Sequence, residues 1–487
     1  VTLLLDQADL PAPSATDRRA VWIAAFVLAA VASFYLARGM PWVHTDDLAF
    51  TGAAIDLART GQLTNHTMDG WLAAFGTSKF YVQLPFYSYS LAAWIHLFGA
   101  STTSFISFEW VCYGMGLYGL IRVFGRFGLP LGMRLLLATM YLTFLIREGF
   151  RPEAEASGLM FLGLSLFDTG APFRRKLVAL LLLGFGLLTY PLMVGPAAAF
   201  AIALLCLPRP TLRDLPRAWL LPVVLAGAVV VVAFLAMIHF ELGPFFAVFE
   251  AHRQTRADAD GTLLGFFRLI TEYQELALTL PPVLLLGVAA VFVLARWRRV
   301  ELQVRVLVLA CAGAALACIV TYVAKAPPLV VLLAFCAACA LASERSFRRY
   351  RWPAVAALAA LYAWNQSLWI VTATQRRFPD QTALRVAHDA ALRAGRDLVV
   401  DSSTARYVFD YHLPDRTRYL NFLKPQWNEF VTLQEKKPEA FWVVSTGFLN
   451  TASDGKIALA RDCPRIVVEH HKFNSLPLRP DDPLVIP

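Results

Sequence analysis

The sequence predicts an α-helical polytopic membrane protein of about eleven transmembrane helices, with a small C-terminal extracytoplasmic α/β domain. Three observations predict it. The chain is 57% hydrophobic and only 16% charged over 487 residues, with a mean hydropathy of +0.54. No soluble core of this length absorbs so much apolar surface, so most of it must face lipid. The Lys and Arg residues behind the net charge of +9 gather in short runs between apolar spans, which is a topology signal and not a nucleic-acid one. From Arg376 the composition turns soluble. The expected division is a transmembrane domain over 1–374, with external loops at 38–103, 147–155 and 239–277, and a soluble domain over 375–487.

Residues 1–19 end in Asp17-Arg18-Arg19, a cytoplasmic flank for a first helix over Val21–Ala37. No small-residue cleavage site follows that helix, so a retained anchor is expected. The stretch 38–103 is too rich in Gly, Asp, Tyr and Trp to cross lipid. Within it, Leu48–Leu57 and Phe86–Phe98 read as helices at the interface, the second carrying the belt residues Tyr87, Tyr89, Trp94 and His96. Phe105–Ile121 spans next, followed by Arg122, Arg126 and Arg134. Leu135–Ile146 returns to a second polar segment, 147–155, and Ala156–Phe167 goes back to Arg174-Arg175-Lys176.

A tight pair of spans turns near Tyr190-Pro191 and ends at Pro208-Arg209. Leu220–Ile238 leads to the external segment that begins at His239. Leu278–Ala295, Val306–Val323, Leu329–Ala342 and Ala354–Val371 complete the set, with Lys325-Ala-Pro-Pro328 as an external turn. Every even-numbered span ends in a Lys/Arg-rich loop. The predicted orientation is therefore N-terminus in the cytoplasm and C-terminal domain in the periplasm, in the inner (plasma) membrane.

Beyond 376, Gln381–Ala394 and Trp427–Glu435 read as helices, and Asp397–Val400, Arg418–Asn421, Ala440–Val444 and Arg465–Glu469 as short strands. Asn65-His-Thr67 fits a glycosylation sequon. Cys336 and Cys339 form a CxxC, which in Phe335-Cys-Ala-Ala-Cys-Ala reads as small residues packing helices.

Three polar clusters fall on the outer side. Asp46-Asp47 has two readings: an acidic pair facing an aqueous cavity, or acids favouring the N-terminus of a helix capped by Thr45. Arg147, Glu148, Arg151, Glu153 and Glu155 are either site residues or a solvated loop with weak surface ion pairs. Lys325 is either a ligand contact or a side chain snorkelling to headgroups. Acidic and basic groups on one face would suit an acceptor hydroxyl that loses a proton beside an anionic phosphate.

The order of these features resembles the GT-C superfamily of membrane glycosyltransferases, above all the branch with protein O-mannosyltransferases and the lipid A aminoarabinose transferase. The resemblance covers roughly 20–370. It rests on Asp46-Asp47 with the helix running to Gly61, on Leu84-Pro-Phe-Tyr-Ser-Tyr89 closed by Leu97-Phe-Gly99, on Arg151-Pro-Glu-Ala154, and on Lys325 before a late pair of spans. Where relatives often have Lys or His before the proline of the aromatic helix, this chain has Gln83-Leu84-Pro85, and Lys79 is close enough to substitute.

The resemblance implies inverting transfer from a polyprenyl-phosphate-linked sugar donor to a hydroxyl of a glycolipid, polysaccharide or protein acceptor. Asp46 would be the general base, with Asp47 as helper or alternate. Glu153 would orient the acceptor or help hold a divalent metal ion, for which Asp46, Asp47 and Glu153 are the available ligands. Arg151 and Lys325, with Lys79, Arg147 and Tyr87, would bind substrate or phosphate. The rival classes are a transporter or lipid flippase, and a non-catalytic envelope-assembly scaffold.

Overall fold

The computed structural model describes residues 15–41, 47–68, 72, 77–146, 149–168, 170–207, 215–260, 280–321 and 327–344, scattered positions between 356 and 395, and five strands between 398 and 485. The described part is mostly helical. Its helices are α1 (Ala15–Ala37), α2 (Asp47–Thr60), α3 (Phe86–Phe98), α4 (Thr102–Arg126), α5 (Leu131–Ile146), α6 (Pro152–Leu166), α7 (Phe173–Thr189), α8 (Val194–Cys206), α9 (Leu215–Met237), α10 (Leu242–Asp260), α11 (Leu280–Ala295), α12 (Leu302–Thr321) and α13 (Pro327–Ser343). Two stretches, Arg18–Ala37 in α1 and Trp219–Met237 in α9, are long and apolar enough to cross a membrane, and several shorter apolar helices accompany them. Both expose apolar side chains outward, Trp22 and Phe26 on α1 and Leu220, Val224 and Val232 on α9.

Most of the segments expected to span are helices, several of them longer than expected where charged residues extend into them: Arg18 and Arg19 lie within α1, Arg126 closes α4, and Arg174 and Arg175 fall in the first turn of α7. Two expectations need correction. The loop at 147–155 is shorter, since Pro152 is the first residue of α6, where a missing N–H costs nothing. The segment from His239, expected to be a long external stretch, turns at once into α10. The last span, expected over Ala354–Val371, falls almost wholly outside the described residues.

α6 lies at the centre of the bundle, buried along nearly its whole length between α4 and α7. Glycines set that closeness. A Cβ on Gly119 of α4 would strike the backbone of Phe161 in α6, and one on Gly158 would lie 2.7 Å from the carbonyl oxygen of Cys112. On the other side, a Cβ on Gly163 would stand 2.9 Å from the carbonyl of Ala179 in α7. Small residues let backbones approach where lipid offers no hydrophobic drive between helices. Cys336 and Cys339 are fully buried among Ala334, Ala337 and Ala340, as packing residues would be.

A second apolar core gathers the first polar segment. Tyr35, Ala53, Tyr81, Tyr87, Phe108, Phe150 and Phe245 share it, so α2, α3, the chain before α6 and the start of α10 are packed together. The strands form one sheet of order β2-β1-β3-β4-β5, from Thr417–Leu420, Leu398–Asp401, Phe441–Ser445, Arg465–Val468 and Leu484–Val485. The first four run parallel and β5 pairs antiparallel with β4. Four strands coincide with those read from the sequence to within a residue at each end. Parallel neighbours need crossovers, and the helices expected at 381–394 and 427–435 lie outside the described residues apart from Arg393. Strand β2 runs against the 3-10 turn His66–Met68 of the first polar segment.

Candidate functional site

Asp47 is the first residue of α2, and Thr51 Oγ1 donates to its carbonyl at 2.6 Å. A plain N-terminal acid would point its carboxylate at solvent and the helix's own N–H groups. Asp47 is instead fully buried, and its Oδ2 accepts the backbone N–H of Phe150 at 3.0 Å. Its Oδ1 faces Arg151 Nε at 3.8 Å. Gly149, at φ +83, turns the chain ahead of this contact, and Arg151 follows in extended geometry (φ −134, ψ 154) before Pro152 begins α6. The two polar segments that the sequence separates by about a hundred residues thus meet at one point.

Arg151, Glu153 and Glu155 are buried at 4%, 9% and 4% exposure, which overturns the solvated-loop reading for all three. An unpaired buried charge is costly, so a guanidinium among carboxylates is the arrangement burial demands. Glu153 and Glu155 occupy the first turn of α6, where the helix dipole favours acids.

Below them lies a carboxylate that sequence reasoning missed. Glu109 of α4 is 1% exposed and accepts the hydroxyl of Tyr87 at 3.0 Å. The available signal was a lone Glu inside the apolar run Phe105–Ile121, where an ionisable residue is a site hypothesis by default. Tyr87 was expected to contact substrate. It is fully buried, packed edge-on by Phe50 and Phe108, and its phenol serves Glu109. Burial first, and then the Glu109 carboxylate, push that phenol above the usual tyrosine range. It therefore remains a proton donor.

Lys79 is also committed elsewhere. Its Nζ meets Glu241 Oε1 at 2.5 Å, while Tyr81 donates its hydroxyl to Glu241 Oε2 at 2.8 Å. Those two bonds, Lys79 first, hold the Glu241 carboxyl below the usual carboxylate range. Burial and the same carboxylate push the Tyr81 hydroxyl up.

The sequon is corrected as well. Asn65 is fully buried, and its Nδ2 donates to the carbonyl of Ala49 at 2.7 Å. A Cβ on Gly52 of α2 would lie 2.7 Å from Asn65 Oδ1, so this asparagine is a packing and bonding element that no glycan could reach in the folded chain. Next to it, Asp56 accepts the His66 backbone N–H at 2.7 Å and touches the His66 ring through Nδ1, a pair that no sequence motif announced.

Asp46, Arg147 and Lys325 lie outside the described residues. Among the described residues no three His, Cys, Asp or Glu side chains gather as a metal site. Of the expected ligand set, Asp47 uses Oδ2 on the Phe150 N–H and has Oδ1 3.8 Å from Arg151 Nε, and Glu153 is buried in the first turn of α6. Compared with family models, curated proteins and solved structures, the chain matches none.

Proposed function

We propose that the chain is a polytopic inner-membrane glycosyltransferase of GT-C type, moving a sugar from a polyprenyl phosphate to an acceptor hydroxyl on the periplasmic face. The observation that supports it best is the junction of Asp47 with Phe150 and Arg151, which joins an acidic and a basic segment at the head of the central helix. Such a junction suits a reaction that takes a proton from one group and stabilises negative charge on another. The sheet strand beside the His66–Met68 turn further supports a C-terminal domain lying on the same side as the first polar segment.

In this reading Asp47 is the anchor, and its neighbour Asp46 is the general base. Asp46 takes the proton of the acceptor hydroxyl as that oxygen attacks the anomeric carbon. The carbon–oxygen bond to phosphate breaks with inversion, and the polyprenyl phosphate leaves. Arg151, Arg147 and Lys325 offset the charge that develops on the phosphate. Glu153, in the first turn of α6, orients the acceptor. No step here passes through a metal.

One observation favours a transporter instead: Glu109, an acid bonded to Tyr87 inside a helix of the bundle, is the kind of group that ion pathways use. Transfer from a radiolabelled polyprenyl-phosphate sugar to extracted acceptor by the purified protein separates the two. Asp46→Asn is expected to abolish transfer with the fold intact. Near-normal transfer by Asp46→Asn would remove it as the base. If no lipid-linked sugar were consumed while vesicles carrying the protein moved solute, the transporter reading would stand.

A further inference from the structure

Glu241 stands on Lys79 where an anion would. Two donors from one short segment, the Lys79 ammonium and the Tyr81 hydroxyl, each take one oxygen of a single carboxylate at 2.5 and 2.8 Å. A phosphate asks for the same pair, a cation and an O–H at hydrogen-bond range of adjacent oxygens. Lys79 and Glu241 keep 24% and 36% of their side-chain exposure, so a ligand reaches the contact without any unfolding.

The backbone ahead of Glu241 is held in an unfavourable conformation. His239 and Phe240 both have positive φ, 53° and 62°, and neither is glycine. For a bulky residue this is an outlier. Phe240 gains little packing in return, being 69% exposed. Outliers of this kind persist where their surroundings over-determine them. The backbone closes the turn with the His239, Phe240 and Glu241 N–H groups on the carbonyls of Ala236, Leu235 and Ile238. The side-chain restraints are the two bonds to Glu241, the Tyr81 hydroxyl 3.2 Å from the carbonyl of Ile238, the Tyr89 hydroxyl on the carbonyl of Met237 at 2.9 Å, and the Phe245 ring against Tyr81 at 5.6 Å. Loosening the carboxylate removes the restraint that directly follows the strained pair and directly precedes α10.

We propose that Glu241 is an internal stand-in for phosphate on Lys79 and Tyr81, and that an incoming phosphate-bearing ligand displaces it and releases the α9–α10 corner. The contact is autoinhibitory: it closes an anion site until the anion arrives. Taking the natural ligand to be a lipid phosphate rests on the transferase reading, whereas the displacement itself does not.

The test uses the purified full chain in nanodiscs, with farnesyl phosphate, inorganic phosphate and farnesol as probes. Binding is measured by calorimetry, and hydrogen exchange is followed over residues 236–250. Farnesyl phosphate is expected to bind the wild type and to raise exchange over 238–249. Glu241→Gln is expected to exchange fast without ligand and to bind at least about fivefold tighter, the factor for a site blocked more than about four-fifths of the time. Phe240→Gly relieves the strained φ and favours the latched state, so it is expected to bind more weakly. Lys79→Met is expected to lose binding.

Matching effects from inorganic phosphate would make the anion sufficient, and effects from farnesyl phosphate alone would identify a lipid headgroup; farnesol is expected to do nothing. Equal affinity in wild type and Glu241→Gln, or unchanged exchange at saturation, would overturn the proposal. Tighter binding by Glu241→Gln in a protein that transfers no sugar upholds the latch and removes the transferase reading. Sugar transfer by the wild type, with Glu241→Gln binding phosphate no tighter, does the reverse.

Discussion

Tyr87 donates its hydroxyl to Glu109 Oε1 at 3.0 Å with both side chains buried, one on a helix of the first polar segment and one inside the bundle. Removing the donor leaves a buried acceptor without its partner, at a cost of about 1–3 kcal/mol. Tyr87→Phe is therefore expected to lower the thermal midpoint in detergent. Replacing both partners, as Tyr87→Phe with Glu109→Leu, should recover much of the loss. A double variant no better than the single one would show that the bond contributes nothing measurable.

The Asp47 carboxylate makes two contacts that substitutions separate. Asp47→Asn can still accept the Phe150 N–H but loses its charge against Arg151. Asp47→Ala loses both the bond from Phe150 and the charge facing Arg151, and the buried N–H left without its acceptor alone costs about 1–3 kcal/mol. Denaturant unfolding should rank wild type above Asp47→Asn and Asp47→Asn above Asp47→Ala. Adding Arg151→Met to Asp47→Ala should cost less than the sum of the two single changes.

Two glycines of α4 should respond in opposite directions. Gly119 has the backbone of Phe161 where its Cβ would go, while Gly114 has nothing within 4 Å. Gly119→Ala is expected to push α4 off α6 and to cut the yield of folded protein in size-exclusion chromatography. Gly114→Ala is expected to be neutral or to stabilise by up to about 1 kcal/mol, the helix-propensity difference.

The Glu241 contact has a defined pH range. Its carboxyl is held below the ordinary carboxylate value by Lys79 and Tyr81, with His239 the other titratable neighbour. A depressed acid contributes stability that is present above its unfolded pKa, about 4.3, and is lost as pH falls through the folded value. Exchange protection at 238–241 is thus expected to hold from pH 7 to about 5 and to fall only below about 4. Loss of protection already between about pH 7 and 5 would show that the Glu241 carboxylate is not what holds this segment.

The helices were legible because their signal is composition. Phe86–Phe98 matches α3 residue for residue, and β1, β3 and β4 announced themselves as short apolar runs. Side-chain partners were not legible. Nothing local in Lys79 or Glu241 foretells a contact across 162 positions, and burial of Arg151, Glu153 and Glu155 follows from glycine-mediated packing of α6 that the polar loop sequence conceals. Asn65 misled in the same way: a tripeptide reads as surface until the backbone it bonds to is known.

On the transferase reading proposed above, the length of α6 would set the depth at which the chemistry happens. Fifteen residues at 1.5 Å each give about 22 Å, against about 30 Å of hydrocarbon. If the proposed orientation holds and the Arg174–Lys176 run sits at the inner face, the other end of α6, with Arg151 and Glu153, would be recessed by roughly 8 Å below the outer edge of the hydrocarbon. On that reading a molecule already dissolved in the leaflet would arrive sideways, its phosphate drawn below the glycerol level to meet Arg151, and lateral diffusion in the bilayer would be the delivery route.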